Sequence, residues 1–261
     1  MTIELLSPRE WEPMRVAGRT AAGTLAWVGA QLVAGMTGRD IDALVRQDTA
    51  RRGGTPSQLG FHGFPGAVCV SRNEVVCHGI PTERVVLRPG DIVNIDVTTQ
   101  IGGYHGDCSM TFAIPGPAGP AQAEAARLID ATRRALAAGI AAVKLGGRLG
   151  DVGAAICGLA QAEGYGVVRE YGGHGIGRSM HMDPHVSHVA RAGAGPRLKP
   201  GMAFTIEPML TLGSPATRLL PDGWTVVTAD GRWSAQFEHT ILLTEAGIEV
   251  LTEAPLSQTP R

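Results

Sequence analysis

Five side chains carry the chemistry of this chain: Asp96, Asp107, His174, Glu207 and Glu238, each on a strand-like stretch or in a Gly-rich turn. Four carboxylates and one imidazole suffice to hold two hard or borderline divalent ions through shared carboxylates, and four negative charges balance two such ions. Zinc usually takes more His or Cys and fewer carboxylates, so Mn, Fe or Co suits the oxygen-rich set as well or better. A paired site of this kind lowers the pKa of a bridging water and polarises a carbonyl, which is the chemistry of metal-assisted hydrolysis.

Asp96 and Asp107 belong to one hairpin. Residues 93–99 alternate apolar and polar, a strand with Asn94, Asp96 and Thr98 on one face; Gly102-Gly103 supplies the turn, and residues 104–112 alternate again. With the turn centred near Ile101-Gly102 the two aspartates face each other; centred one step later, they are diagonal neighbours. Either way they repel, and a cation between them removes the conflict. Taken alone, the hairpin fits a polar strand face with two solvated aspartates equally well.

The elements that must position these residues are legible around them. Ser7-Pro8-Arg9-Glu10 is a helix start with a capping box, and the Ala-rich segment behind it predicts a helix to about residue 34. Further helices are expected over residues 40–51, 121–143 and 150–161, and strands over 202–209 and 234–243. The chain also repeats itself at an offset of 111 residues: Leu87-Arg-Pro-Gly-Asp-Ile-Val-Asn-Ile-Asp96 aligns with Leu198-Lys-Pro-Gly-Met-Ala-Phe-Thr-Ile-Glu207. The same offset lays the first long helix over the third, and each copy ends its strand in a carboxylate. Two such halves related by a pseudo-twofold imply an α+β fold: a curved antiparallel sheet holding the Asp96 and Glu207 strands side by side, with helices on its outer face.

Bulk properties narrow the class. A chain of 261 residues with 44% apolar and 18% charged residues suits a globular protein with a substantial core. A net charge of −1 gives no reason to expect a nucleic-acid or anionic-membrane surface. No secretory signal or bilayer-length apolar run is present, and the four cysteines lack zinc or disulfide spacing, so a reduced, cytoplasmic setting is expected.

The ordered motifs Cys77-His-Gly-Ile-Pro81, the Asp96–Asp107 hairpin, Gly173-His-Gly-Ile-Gly177, Phe204-Thr-Ile-Glu-Pro-Met209 and Ala235-Gln-Phe-Glu-His-Thr240 resemble the type I methionine aminopeptidases. The resemblance runs from about residue 8 to residue 253. It implies the pita-bread (creatinase/aminopeptidase) fold as a single catalytic domain over 1–261, with halves of about 8–115 and 121–253 and no N-terminal extension domain. It also implies removal of the initiator methionine from nascent chains when the second residue is small. Two divalent ions per chain (Co, Mn, Fe, Zn or Ni) are the expected cofactors. Asp96 would chelate the first ion, Asp107 and Glu238 would bridge, and His174 and Glu207 would complete the second. Glu207 would also be the general base, His181 the donor to the tetrahedral species, and His78 the contact to the scissile amide. Monomer, transient ribosome contact, and no specific nucleic acid or membrane complete the expectations.

The same resemblance puts Phe61, Phe64, Cys69, Met180 and Trp224 in the methionine pocket, with His62 and Gln58 at its rim. Here the sequence departs from the family. Phe61 and Phe64 replace common tyrosines, Gln58 replaces a small residue or cysteine, and Met180 replaces an aromatic. Single histidines are more often satisfied loop residues than catalysts, and His105, His185, His188 and His239 are assigned no role. Rival readings are an Xaa-Pro aminopeptidase or prolidase, disfavoured by the absence of room for a large preceding domain. A creatinase-like enzyme or a metal-free binding protein is disfavoured by the complete ligand set.

Overall fold

A computed structural model describes residues 2–253. Helix α1 (Pro8–Gly29) opens on the capping box, with the Ser7 N–H donating to Glu10 Oε2 at 2.8 Å. It ends earlier than the Ala-rich composition predicts. The chain leaves the helix to hydrogen-bond elsewhere, the Gly35 and Gly38 N–H groups donating to the Leu87 and Val85 carbonyls. Helix α2 (Gly38–Arg51) is capped by Thr37, which accepts from the Asp40 N–H at 3.2 Å. Helices α3 (Pro120–Ala141) and α4 (Gly150–Ala162) repeat α1 and α2 at nearly the offset seen in the sequence.

The hairpin pairs Ile92–Ile101 with Tyr104–Ala113 along its whole length, and Gly102 and Gly103 both take positive φ (61° and 82°), the geometry of a tight two-residue turn. This register resolves the alternative left open by the sequence. Asp107 lies opposite Thr98, and Asp96 lies opposite Ser109. The two aspartates are therefore diagonal neighbours on one face. On the other face Val93, Ile95 and Val97 pack with Ala21, Leu25 and Ile41 of α1 and α2. Each such buried side chain contributes roughly 1.5–3 kcal/mol, so hydrophobic burial alone fixes which face carries the acids.

The second half builds an equivalent pair from Ala203–Ile206 and His239–Thr244. The Asp96 and Glu207 strands are not side by side, contrary to the expectation from the repeat. Tyr104–Ala113 and His239–Thr244 stand between them and meet at the centre. There the Asp107 N–H donates to Thr240 Oγ1 at 3.0 Å, Thr240 Oγ1–H donates to the Asp107 carbonyl at 2.8 Å, and Ser109 bridges Glu238. The described strands also fall into four sheets rather than one. The reason is local. The expected strand over 202–209 breaks into Ala203–Ile206 and Met209–Thr211 around Glu207-Pro208, and that over 234–243 breaks into Ser234–Gln236 and His239–Thr244 around Phe237-Glu238. Proline has no N–H to give a ladder, and both breaks place a carboxylate.

Helix α1 lies so close on the hairpin that a β-carbon on Gly106 would overlap the Ala17 carbonyl and the Gly18 nitrogen. These are backbone atoms and cannot rotate away. Gly106→Ala is expected to cost about 2–3 kcal/mol, a fall of roughly 4–10 °C in melting temperature. An unchanged melting temperature in differential scanning calorimetry would show that the helix yields freely.

Candidate metal centre and apolar cleft

The strand breaks and the hairpin turn their acids toward one imidazole. His174 sits on the short strand Gly173–Gly175, whose backbone runs against Thr205; a β-carbon on Gly173 would overlap the Thr205 carbonyl. His174 Nδ1 lies 3.1 Å from the Gly175 carbonyl, which needs the proton on Nδ1 and leaves the Nε2 lone pair free. That Nε2 lies 3.7 Å from Asp107 Oδ2 and 3.6 Å from Glu207 Oε1. Ligand atoms of Asp107, His174 and Glu238 all fall within 4.8 Å of one another. Asp96 reaches the group through Asp107, its diagonal neighbour.

Three of the four acids are also held from outside the group. Thr98 Oγ1–H donates to Asp107 Oδ1 at 2.8 Å; Thr205 Oγ1–H and Gln236 Nε2–H donate to Glu207 at 2.9 and 3.1 Å. Gln58 Nε2–H reaches Asp96 Oδ1 at 3.2 Å. Among the described residues no Lys or Arg forms an ion pair with any of the four carboxylates. The electrostatic result is large. Burial first, then the charges of Asp107 and Glu207, push Asp96 well above the usual carboxylate range, and the same causes raise Glu238. Burial raises Asp107 to about 7, while burial and the Asp107 charge raise Glu207 to about 8. Burial lowers His174 to about 3, so the imidazole is neutral and can act as a ligand. This donor set fits a pair of divalent ions: oxygen-rich, short of positive charge, with one imidazole already in the ligating tautomer.

Beside the acids opens a cleft of about 130 Å³ whose lining includes Phe61, Phe64, Cys69, Met180 and Trp224, with Gln58, His78 and His181 nearer the acids. Phe64 meets Trp224 edge-on, ring centres 5.1 Å apart. His181 stands at the mouth with its ring centre 4.0 Å from that of His174 and 5.0 Å from that of Phe61. Desolvation and neighbouring histidines lower it to about 4, so it keeps one N–H to donate at neutral pH. His78 has positive φ (55°), unusual for a non-glycine, and meets Tyr171 edge-on at 5.7 Å. His62 does not line the cleft: it packs edge-on against Phe61, ring centres 4.3 Å apart, on the solvent side.

Sequence reading missed the residues that hold the acids. His188 is 1% exposed, and its Nε2 accepts the Glu207 N–H at 3.1 Å, the donor that the strand break leaves without a ladder partner. Its Nδ1 is buried with no partner in the described structure. Its sequence signal is its place at the end of the Gly- and His-rich stretch 172–188, which does not separate it from an ordinary core histidine.

Comparison with known proteins places the geometry. The model of metallopeptidase family M24 matches residues 12–245. The chain is 48% identical to methionine aminopeptidase A of Synechocystis sp. over 251 residues, 96% of this chain and 98% of that protein. The crystal structure of methionine aminopeptidase from Rickettsia prowazekii superposes with a TM-score of 0.92 at 41% identity, covering 97% of this chain and all of that one. Prolidase from Pyrococcus furiosus gives a TM-score of 0.75 at 20% identity, covering 96% of this chain but 66% of its own, a likeness of fold only.

Without ions the raised carboxyls make stability depend on pH. Unfolded carboxyls titrate near 4, whereas Asp107 and Glu207 in the fold titrate near 7 and 8. Between those values the folded state binds more protons, so stability falls as pH rises. Neutral buried histidines act oppositely, but only below about pH 6.5, the value at which they titrate when unfolded. The EDTA-treated protein is therefore expected to lose melting temperature from about pH 6.5 to 8.5, and Mn²⁺ to remove the slope. A flat profile in EDTA would mean that burial and the neighbouring charges do not raise these acids.

Proposed function

The chain belongs to metallopeptidase family M24, and from this we infer that it is a methionine aminopeptidase acting on nascent proteins and peptides whose second residue is small. The observation that carries the reading is the apolar cleft ending directly on the carboxylate–imidazole group. A methionine side chain is unbranched and polarisable, and a wall of Phe61, Phe64, Cys69, Met180 and Trp224 suits it.

Members of this family use divalent metal, and Asp96, Asp107, His174, Glu207 and Glu238 are the residues that would hold the proposed complement of two ions. When bound, the ions would supply Lewis-acid polarisation of a carbonyl and would lower the pKa of a water. Glu207 would serve as the general base; its carboxylate is kept in place by Thr205 and Gln236. His181 donates a hydrogen bond to the oxyanion that develops on the carbonyl, from a ring held beside His174. His78 contacts the scissile amide and assists the departing nitrogen. Phe61 packs on His181 and so joins the methionine wall to the donor that acts in the transition state.

No described helix is long and apolar enough to cross a membrane. A cytoplasmic monomer that meets nascent chains, with transient ribosome contact, accords with this reading. So does one catalytic unit of two halves, about 8–115 and 121–253.

Purified protein is expected to release methionine from Met-Ala-Ser and nothing from Ala-Pro-Ala, with activity lost in EDTA and restored by Mn²⁺ or Co²⁺. Cleavage of the proline peptide instead would move the function to the Xaa-Pro peptidases. Asp107→Asn should abolish hydrolysis while circular dichroism shows the fold retained; retained turnover contradicts a bridging Asp107. His181→Ala should lower kcat by about two to three orders of magnitude with metal binding intact. An effect on KM alone removes His181 from the transition state.

A further inference from the structure

We propose that Gln58 is a positioning residue for Asp96, its side-chain amide filling a gap in the sheet edge and aiming that carboxylate at the metal pair. The inference rests on the metallopeptidase reading above. The strand Ile92–Ile101 has two partners along its outer edge. Thr55–Pro56 pairs as far as Thr99, Ser57 N–H donates to the Thr98 carbonyl at 2.9 Å, and Cys69–Arg72 takes over at Asp96. Between them the Thr98 N–H faces that edge beyond the end of the Cys69–Arg72 ladder. Gln58 spans the junction: its Oε1 accepts the Thr98 N–H at 3.2 Å and its Nε2–H donates to the Asp96 carbonyl, next to the Cys69 pairing, at 2.9 Å. A primary amide carries the donor and acceptor of a peptide group, so it completes the edge as a neighbouring strand would.

The same Nε2 lies 3.2 Å from Asp96 Oδ1. Since Thr98 occupies Oε1, the amide cannot turn over without losing both backbone bonds, and the donor stays pointed at Asp96. Gln58 is 6% exposed and lines the cleft, so water competes little with this bond. Asp96 thereby has one oxygen restrained from the side of the methionine cleft. Outer hydrogen bonds of this sort orient a ligand before the ion arrives, and their loss typically weakens binding by 10–100-fold. Neither a shorter side chain nor an apolar one of equal length meets both requirements.

The test is calorimetric titration of Mn²⁺ into the EDTA-stripped full chain, wild type beside Gln58→Met, which keeps length but removes the amide, and Gln58→Ala. Wild type should show two binding events. Both variants should weaken one of them by about tenfold or more and leave the other near wild type. Equal affinities in Gln58→Met and wild type would overturn the proposal, as would equal weakening of both events, which signals loss of packing alone. Loss in Gln58→Ala but not in Gln58→Met would also overturn it by assigning the effect to shape. Absence of any binding by the wild type would instead contradict the metal centre itself.

Discussion

Repulsion among four carboxylates in one pocket is the constraint on which the rest of the structure depends. Asp96, Asp107, Glu207 and Glu238 converge on a single neutral imidazole, and among the described residues no Lys or Arg pairs with them. Left alone they hold protons well above the usual carboxylate range. Such an arrangement lowers the stability of the ion-free fold near neutral pH, and it makes physical sense when cations complete it. The surrounding architecture follows from the need to hold these groups close. Two strands break where they deliver Glu207 and Glu238, threonine and amide side chains tie down the carboxylate oxygens, and α1 and the His174 strand approach their neighbours through glycine.

The pseudo-twofold explains how one chain builds this without an independent solution for each ligand. Each half contributes helix, helix, Pro-Gly turn and strand, and the two central strands join back to back through Asp107 and Thr240. The halves have diverged where chemistry requires it. The first copy runs unbroken through Asp96 and returns with Asp107, whereas the second breaks at Pro208 and gives Glu207 a backbone N–H that only His188 accepts. The likeness to a prolidase at 20% identity shows that the scaffold is shared.

Much of this was legible in the sequence because it depends on local periodicity. The alternation around Asp96 and Asp107, the capping box at Ser7, and the offset repeat all report regularities that survive folding. The break at Phe237-Glu238 was not legible, since apolar alternation continues through it and only tertiary packing interrupts the ladder, whereas Pro208 marks the other break in the sequence. The early end of α1 was hidden likewise: its Ala-rich continuation has high helical propensity, and long-range hydrogen bonds to Leu87 and Val85 override it. Gln58 and His188 act by filling hydrogen-bonding gaps that exist only in three dimensions. His62, adjacent to the pocket in sequence, takes positive φ, 47°, which local periodicity does not forecast.

Counting the protons released when Mn²⁺ is added to the ion-free protein at pH 6.5, by titration in an unbuffered solution, tests the central claim most directly. Carboxyls held protonated by burial and by one another's charge must give up those protons when cations take their place, so net release of at least one proton per chain is expected. Binding of Mn²⁺ with no proton release would mean the acids are already ionised without it, contradicting repulsion as the organising constraint.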